Sequence, residues 1–280
     1  DRPMDDLGAQ ERAVLAAITA NPFAGQQEIA TALGLARSTV AAHIGQLVQK
    51  GRILGRAYVL PKAERIACFG GATLDRKYHG RGPLIPGTSN PVEGRQSFGG
   101  VARNVAENLA RLGVQTSLAT IVGDDENGRS LVRHLRDHGV DTSQIVTTTA
   151  KSTAEYAAIL GPDSDLVLGI ADMGIFDLLT AAHLDRLWPH LAAATWVFAD
   201  CNLPAEVLAA LIARKRGARF RLAVDTVSGP KAKRLPADLA GIDLLFVNRD
   251  EAESVLGAPS SSPEAAALAL HDRGAAEVVL

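Results

Sequence analysis

Cysteine is scarce in this chain: Cys68 and Cys201 are the only two among 280 residues. They stand far apart with no metal-ligating partner at short spacing, which argues against a disulfide framework or a zinc site and leaves both as small buried hydrophobes. Long apolar runs are missing as well. Nothing approaches the ~18 consecutive apolar residues of a spanning helix, and the start, Asp-Arg-Pro-Met, is unlike a signal peptide. The expectation is a cytoplasmic chain with no membrane partner. Neither charge dominates, with 29 basic and 31 acidic residues, and no repeat or low-complexity tract is visible. What is present is 47% hydrophobic and 21% charged sequence, the composition of a globular protein. At roughly 150 residues per domain, the length fits two domains.

The charge divides the chain. Residues 1–62 carry 7 basic and 5 acidic side chains, and within 37–62 Arg37, Lys50, Arg52, Arg56 and Lys62 face no acidic residue at all. A boundary fits at Pro61–Glu64, giving domains at 1–62 and 64–280. In the first, Val14, Leu15 and Ile18 recur at helical spacing until Asn21-Pro22, and Gln26 to Leu33 forms a second helix closed by Gly34. Ser38 is expected to cap a third helix with Val40, Ile44 and Leu47 inward. Arg37, Thr39, His43 and Gln46 then project outward, and residues 51–60 read as a β-hairpin carrying Arg52 and Arg56. This arrangement resembles winged helix-turn-helix DNA-binding domains. The resemblance implies that the third helix enters the major groove, with Arg37, Ser38, Thr39, His43, Gln46, Arg52 and Arg56 facing DNA. A small dimerisation domain with solvated charges is the alternative.

From residue 64 on, strand-like runs at 66–69, 117–122, 196–199, 222–224, 244–247 and 278–280 alternate with helical patterns at 101–112, 126–138, 180–193, 204–216 and 263–273. That rhythm predicts an α/β domain with a mainly parallel sheet flanked by helices, which binds ligands at its carboxyl edge. Residues 76–98 and 147–169 break the rhythm and read as a small β lid.

The strongest local motif is Phe98-Gly99-Gly100-Val101-Ala102-Arg103-Asn104. Paired glycines before a helix let a ligand approach the backbone, where free N–H groups favour oxygen atoms. Gly70-Gly71-Ala72-Thr73-Leu74-Asp75 precedes it, Ile121-Val122-Gly123-Asp124 follows, and Asn248-Arg249-Asp250-Glu251 comes late. Together they resemble the ribokinase-like (PfkB) carbohydrate and nucleoside kinases. The resemblance implies ATP and Mg²⁺ as cofactors, with Asp75, Gly99, Gly100 and Asn104 on a sugar and Asn248 and Glu251 organising metal and phosphate. The family usually has Asn where Thr73 stands. A capping box is the plain structural reading of Asn248 and Glu251.

Finer matches at 86–91, Ser152-Thr153, Ile170-Ala171-Asp172-Met173, Ala199-Asp200-Cys201-Asn202 and Asp225-Thr226-Val227-Ser228 look like the pseudouridine kinase branch. They imply phosphorylation of a ribosyl 5′-hydroxyl, with Thr153 and Asp172 near the base or lid. A ribose- or fructose-type sugar kinase and a ligand-sensing regulator are the alternatives, and a homodimer is expected. Asp200, Asn202 and Asp225 are either functional or helix caps. The family's catalytic base, the aspartate of a Gly-x-Gly-Asp motif after the N-x-x-E element, has no counterpart here, so no catalytic residue is assigned. Glu277 to Leu280 reads as mid-strand, and the expectation is a chain cut short of that base and nearly inactive; a missing general base alone costs about 10²–10⁴ in rate.

Overall fold

A computed structural model describes residues 6–54 and 65–280. The boundary at Pro61–Glu64, Arg56 and the distal part of the expected hairpin lie outside the described residues.

The described residues of the first unit form three helices, α1 (Ala9–Ala20), α2 (Gln26–Leu33) and α3 (Arg37–Gln49), around Val14, Ile18, Ile29, Val40, Ile44, Leu47 and Ile53. Glu11 closes the first turn of α1 by accepting from Gly8 N at 2.8 Å. Gly34 ends α2 at φ +67°, a conformation that side chains disfavour, so the chain can turn directly into α3. Ala36, not Ser38, is the N-cap of α3; Ser38 is already one residue inside the helix and exposed.

The second unit contains β1 (Ile66–Phe69), β2 (Thr73–Gly80), β3 (Val92–Gly99), α4 (Val101–Arg111), β4 (Thr116–Gly123), α5 (Glu126–Asp137), β5 (Asp141–Thr148), β6 (Glu155–Leu160) and β7 (Leu166–Asp172). After a 3-10 turn at Gly174–Leu178 come α6 (Ala181–Ala192), β8 (Trp196–Asp200), α7 (Ala205–Lys215), β9 (Arg221–Asp225), α8 (Gly229–Ala232), β10 (Leu244–Phe246), α9 (Arg249–Leu256), α10 (Pro263–Asp272) and β11 (Val278–Val279). Seven strands in the order β11-β10-β9-β8-β1-β4-β5 make the main sheet, and every described pairing in it is parallel. Each residue of β4 is buried, as a strand covered by helices on both faces requires. The second sheet, β3-β2-β6-β7, is the lid, so both segments that broke the α/β rhythm form it.

The two units touch. Gly51, at φ +65°, lies so close to the Ala192–Ala193 backbone of α6 that a Cβ there would overlap it. Asp6 joins them electrostatically, 2.9 Å from Arg52 and 2.8 Å from Arg219 of the second unit.

At the amino edge of the sheet, His190 of α6 is largely buried beside Arg65 and Ser117, with Ser117 Oγ 2.8 Å from its Nε2. Burial and the Arg65 guanidinium push the imidazole down to about 4. The unfolded chain therefore takes up a proton between about pH 6.5 and 4 that the folded chain refuses. Stability should fall by up to ~3 kcal/mol across that window as pH drops, then level off below it. Urea midpoints at pH 7 and pH 4.5 check this: the His190→Gln variant, which keeps a partner for Ser117, should lose that part of the pH dependence. An unchanged slope would assign it to other groups.

Candidate active site at the carboxyl edge

The site is organised around one fully buried carboxylate. Asp200, at the end of β8, is 0% exposed and accepts from Gly71 N at 3.1 Å, Ala102 N at 2.8 Å and Asn202 N at 2.9 Å. Burial raises its pKa while these backbone donors oppose the rise. It thereby clamps the turn after β1 to the first turn of α4. The glycines follow from this clamp. A Cβ on Gly70 would strike the Asp200 carboxylate, one on Gly71 the Asn202 amide, and one on Gly100, at φ +94°, the Gly71 carbonyl. Arg103 N donates to that carbonyl at 3.2 Å. The expectation of free N–H groups at the glycine turn is thus corrected for Ala102 and Arg103: those donors are used internally, and much of the glycine pattern serves the contact between two turns.

Gly99 does serve the candidate ligand residue, because the Asp75 carboxylate occupies the space a Cβ would take. Thr73 Oγ1 donates to Asp75 Oδ1 at 2.8 Å, so the hydroxyl in place of the family's Asn steadies the carboxylate. Asn104 is exposed on the first turn of α4. Asp75, Gly99, Gly100 and Asn104 therefore belong to one corner of the carboxyl edge. Strand register extends it, since Asp75 pairs with Ser97 and Tyr156, and paired residues share a face.

Thr153 and Asp172 stand elsewhere. Thr153 is 3% exposed, donates to Asp125 Oδ1 at 2.7 Å and accepts from Gly123 N at 3.0 Å. Its hydroxyl is committed to holding the loop before α5. Asp172 pairs with Glu155, which pairs with Leu74, so its side chain shares the lid face opposite Asp75. Both residues line a separate cavity of about 470 Å³ with Asp125, Asn127 and Glu155.

Asn248 and Glu251 form the capping box of α9: Asn248 Oδ1 accepts from Glu251 N and Glu251 Oε2 from Asn248 N, each at 2.9 Å. Thr226 Oγ1 also donates to Glu251, at 2.6 Å. The plain reading of the pair is correct, and it still leaves Glu251 Oε1 and the Asn248 amide nitrogen outside the box. Asp225, at the end of β9, has its pKa raised by burial, with the Asp200 and Glu251 carboxylates adding to the rise. A hard, oxygen-liganded cation would relieve this crowding, so the donor set fits Mg²⁺.

Sequence reasoning missed two features here. Val227 takes φ +67°, which a β-branched residue rarely adopts, two residues past the end of β9. Lys231 bonds the Asn202 side-chain oxygen, and burial lowers its pKa. A basic residue soon after a strand-ending Asp-Thr-Val-Ser was the available signal. Among the described residues, Glu107, His134 and His138 also come within metal-ligating reach of one another. Arg103 and Arg111 already pair with Glu107, which suits it poorly to a cation.

In the first unit, Arg37 and Ser38 are exposed and Thr39 is half-buried. His43 lies 3.2 Å from both Gln46 and Gln10, so it ties α3 to α1. Arg52 does not face outward: it is 7% exposed and paired with Asp6, a correction with a simple cause, since the acidic partner comes from a remote part of the chain. Lys50 is likewise paired with Glu11 at 2.7 Å. The positive face is therefore narrower than charge counting along the chain implies.

Residues 63–280 match the pfkB family of carbohydrate kinases, and residues 9–53 match a winged helix-turn-helix DNA-binding family. An uncharacterized sugar kinase of Escherichia coli K12, YeiI, is 36% identical over 271 residues, covering 96% of this chain and 74% of the relative. The pseudouridine kinase of the same organism is 31% identical over 199 residues, covering 71% of this chain and 63% of the kinase. A solved carbohydrate kinase from Agrobacterium tumefaciens superposes with a TM-score of 0.70 at 32% identity, covering 77% of this chain and 69% of that one. Ribokinase of Arabidopsis thaliana, solved with ribose and ATP, shares the fold at a TM-score of 0.65 and 21% identity, covering 78% and 71%.

Proposed function

The chain belongs to the pfkB family of carbohydrate kinases, and from that premise we propose that it is an ATP- and Mg²⁺-dependent kinase for the 5′-hydroxyl of a ribonucleoside, pseudouridine, joined to a DNA-binding module. The observation that carries the substrate reading is the Asp75 carboxylate seated on Gly99, on the lid face it shares with Ser97 and Tyr156. An ionised carboxylate only accepts, so it takes hydrogen bonds from ribose hydroxyls. Two residues further along that face, Lys77 stands opposite Arg95. Like charges placed so are costly, and both side chains only donate, which suits the carbonyl oxygens of a pyrimidinedione better than a bare sugar. Asp225, Asn248 and Glu251 would hold Mg²⁺, which supplies charge neutralisation of the nucleotide phosphates.

In this mechanism Asp75 and Asn104 fix the ribose so that the 5′-hydroxyl is directed along the carboxyl edge toward β9 and β10. Titration calorimetry with pseudouridine, uridine, ribose and fructose tests the reading. Pseudouridine should bind most tightly, and Arg95→Ala should narrow its advantage over ribose. Binding of free hexose alone would remove the nucleoside claim.

A regulatory role gains support from the docking of Gly51 and Asp6 onto the kinase unit, which offers a route by which a ligand could bias DNA affinity. Mobility shifts at two salt concentrations, with and without pseudouridine, check it. Arg37→Ala should weaken DNA binding roughly threefold to tenfold, more at low salt. No retained fragment at low salt would exclude the DNA role. We assign the homodimer contact to the edge strand β7, whose Leu166, Val167, Leu168 and Ile170 are exposed. Sedimentation of Ile170→Lys as a dimer would refute that assignment.

A further inference from the structure

Arg103 is 6% exposed, an unusual place for a guanidinium one residue before a candidate ligand contact. It sits in a small charged network on the inner side of α4. One terminal nitrogen pairs with Glu107 and the other bonds the side-chain oxygen of Asn104. Glu107 in turn receives Arg111 Nε at 2.9 Å and faces His134 Nε2 at 3.0 Å. Those partners hold its pKa well below the usual carboxylate range although burial opposes them.

We propose that Arg103 is a positioning residue that sets which way the Asn104 amide faces, and so makes Asn104 a hydrogen-bond donor toward the ligand. The reasoning is one of donor and acceptor inventory. A primary amide can be flipped, presenting either oxygen or nitrogen outward. A guanidinium has donors only, so whatever it bonds in Asn104 is the oxygen. The amide nitrogen is then left to point away. Glu107 prevents the guanidinium from swinging free, and Arg111 and His134 prevent Glu107 from following it.

The consequence is a complementary pair. Asp75 accepts, Asn104 donates, and a diol whose hydroxyls can do both is bound in one orientation. With the amide flipped, two acceptors would face the same hydroxyls. Arg103 would thus give the corner its preference for adjacent hydroxyls without touching the ligand.

This inference rests on the ribose-binding reading above, and its test separates the two. Pseudouridine binding is measured by calorimetry for the full chain, Arg103→Met, Arg103→Lys, Asn104→Ala and Arg103→Met/Asn104→Ala. Arg103→Met should weaken binding about tenfold, Arg103→Lys less, and Arg103→Met should add nothing once Asn104 is alanine. An equal loss in the Asn104→Ala background would show a general structural role and overturn the proposal. So would unchanged binding by Arg103→Met. If the unsubstituted chain binds no nucleoside, the function reading falls, and the side-chain amide resonances of Asn104 still decide this point without ligand. A shift of those resonances in Arg103→Met that Arg103→Lys partly reverses supports it; unshifted resonances refute it.

Discussion

Replacing Asp200 with alanine should destabilise the kinase unit by about 3–5 kcal/mol, because it strands buried N–H groups that each cost about 1–3 kcal/mol when unpaired. The groups are those of Gly71, Ala102 and Asn202, all gathered on a carboxylate that is 0% exposed. The melting temperature should drop by about 10 °C. Ligand binding should go with it, since the clamp is what sets the β1 turn against α4. Asp200→Asn, which keeps the shape and one acceptor, should cost distinctly less. Urea or thermal unfolding measures both. A loss below about 1 kcal/mol for the alanine variant would mean that the clamp is not what joins these two turns.

Asp75→Asn should leave folding almost untouched and weaken ribonucleoside binding about 10²–10³-fold. Hydrogen bonds to a charged acceptor contribute about 1.5–3 kcal/mol each, and two of them account for a loss of that size. The carboxylate is half-buried and braced by Thr73 at 2.8 Å, so an isosteric amide fits the space but brings a donor where ribose hydroxyls need an acceptor. Deoxyribonucleosides lacking the contacted hydroxyl should bind the two proteins alike. Calorimetry within threefold of the unsubstituted chain would detach Asp75 from the ligand.

Much of this was legible beforehand. The helix patterns at 101–112 and 126–138 fall on α4 and α5, and the strand run at 66–69 falls on β1, because burial on both sides of a parallel sheet leaves continuous apolar runs and clear helical periods. β5 was missed: it is an edge strand rich in Thr, Ser and Asp, with mixed exposure and a register shift against β4 that blurs any alternation. α9 was visible only as the capping box at its start.

The site divides along the same line. Asp75, the glycine pairs and Asn104 could be found because they lie in short contiguous motifs. Thr153 and Asp172 are expected near the base or lid from a motif; Asp172 is on lid strand β7, but side-chain parity in β6 and β7 turns it to the face opposite Asp75. The sequence places Arg52 against DNA, whereas the fold pairs it with Asp6. The glycine pairs illustrate both outcomes: their presence was readable, but that Gly70, Gly71 and Gly100 make room for Asp200, Asn202 and one another was not.

The order of residues alone determined the two units, the alternation of strand and helix, and the inventory of charged and glycine-rich motifs, because each depends on neighbours within a few positions. Only the folded chain decided which charges are neutralised, which carboxylate is buried, and which way Asn104 presents its amide. Those outcomes depend on partners that are remote in sequence: Asp6 meets Arg219 only when the two units dock, and Asp200 meets Gly71 only when the sheet brings strand ends to one edge.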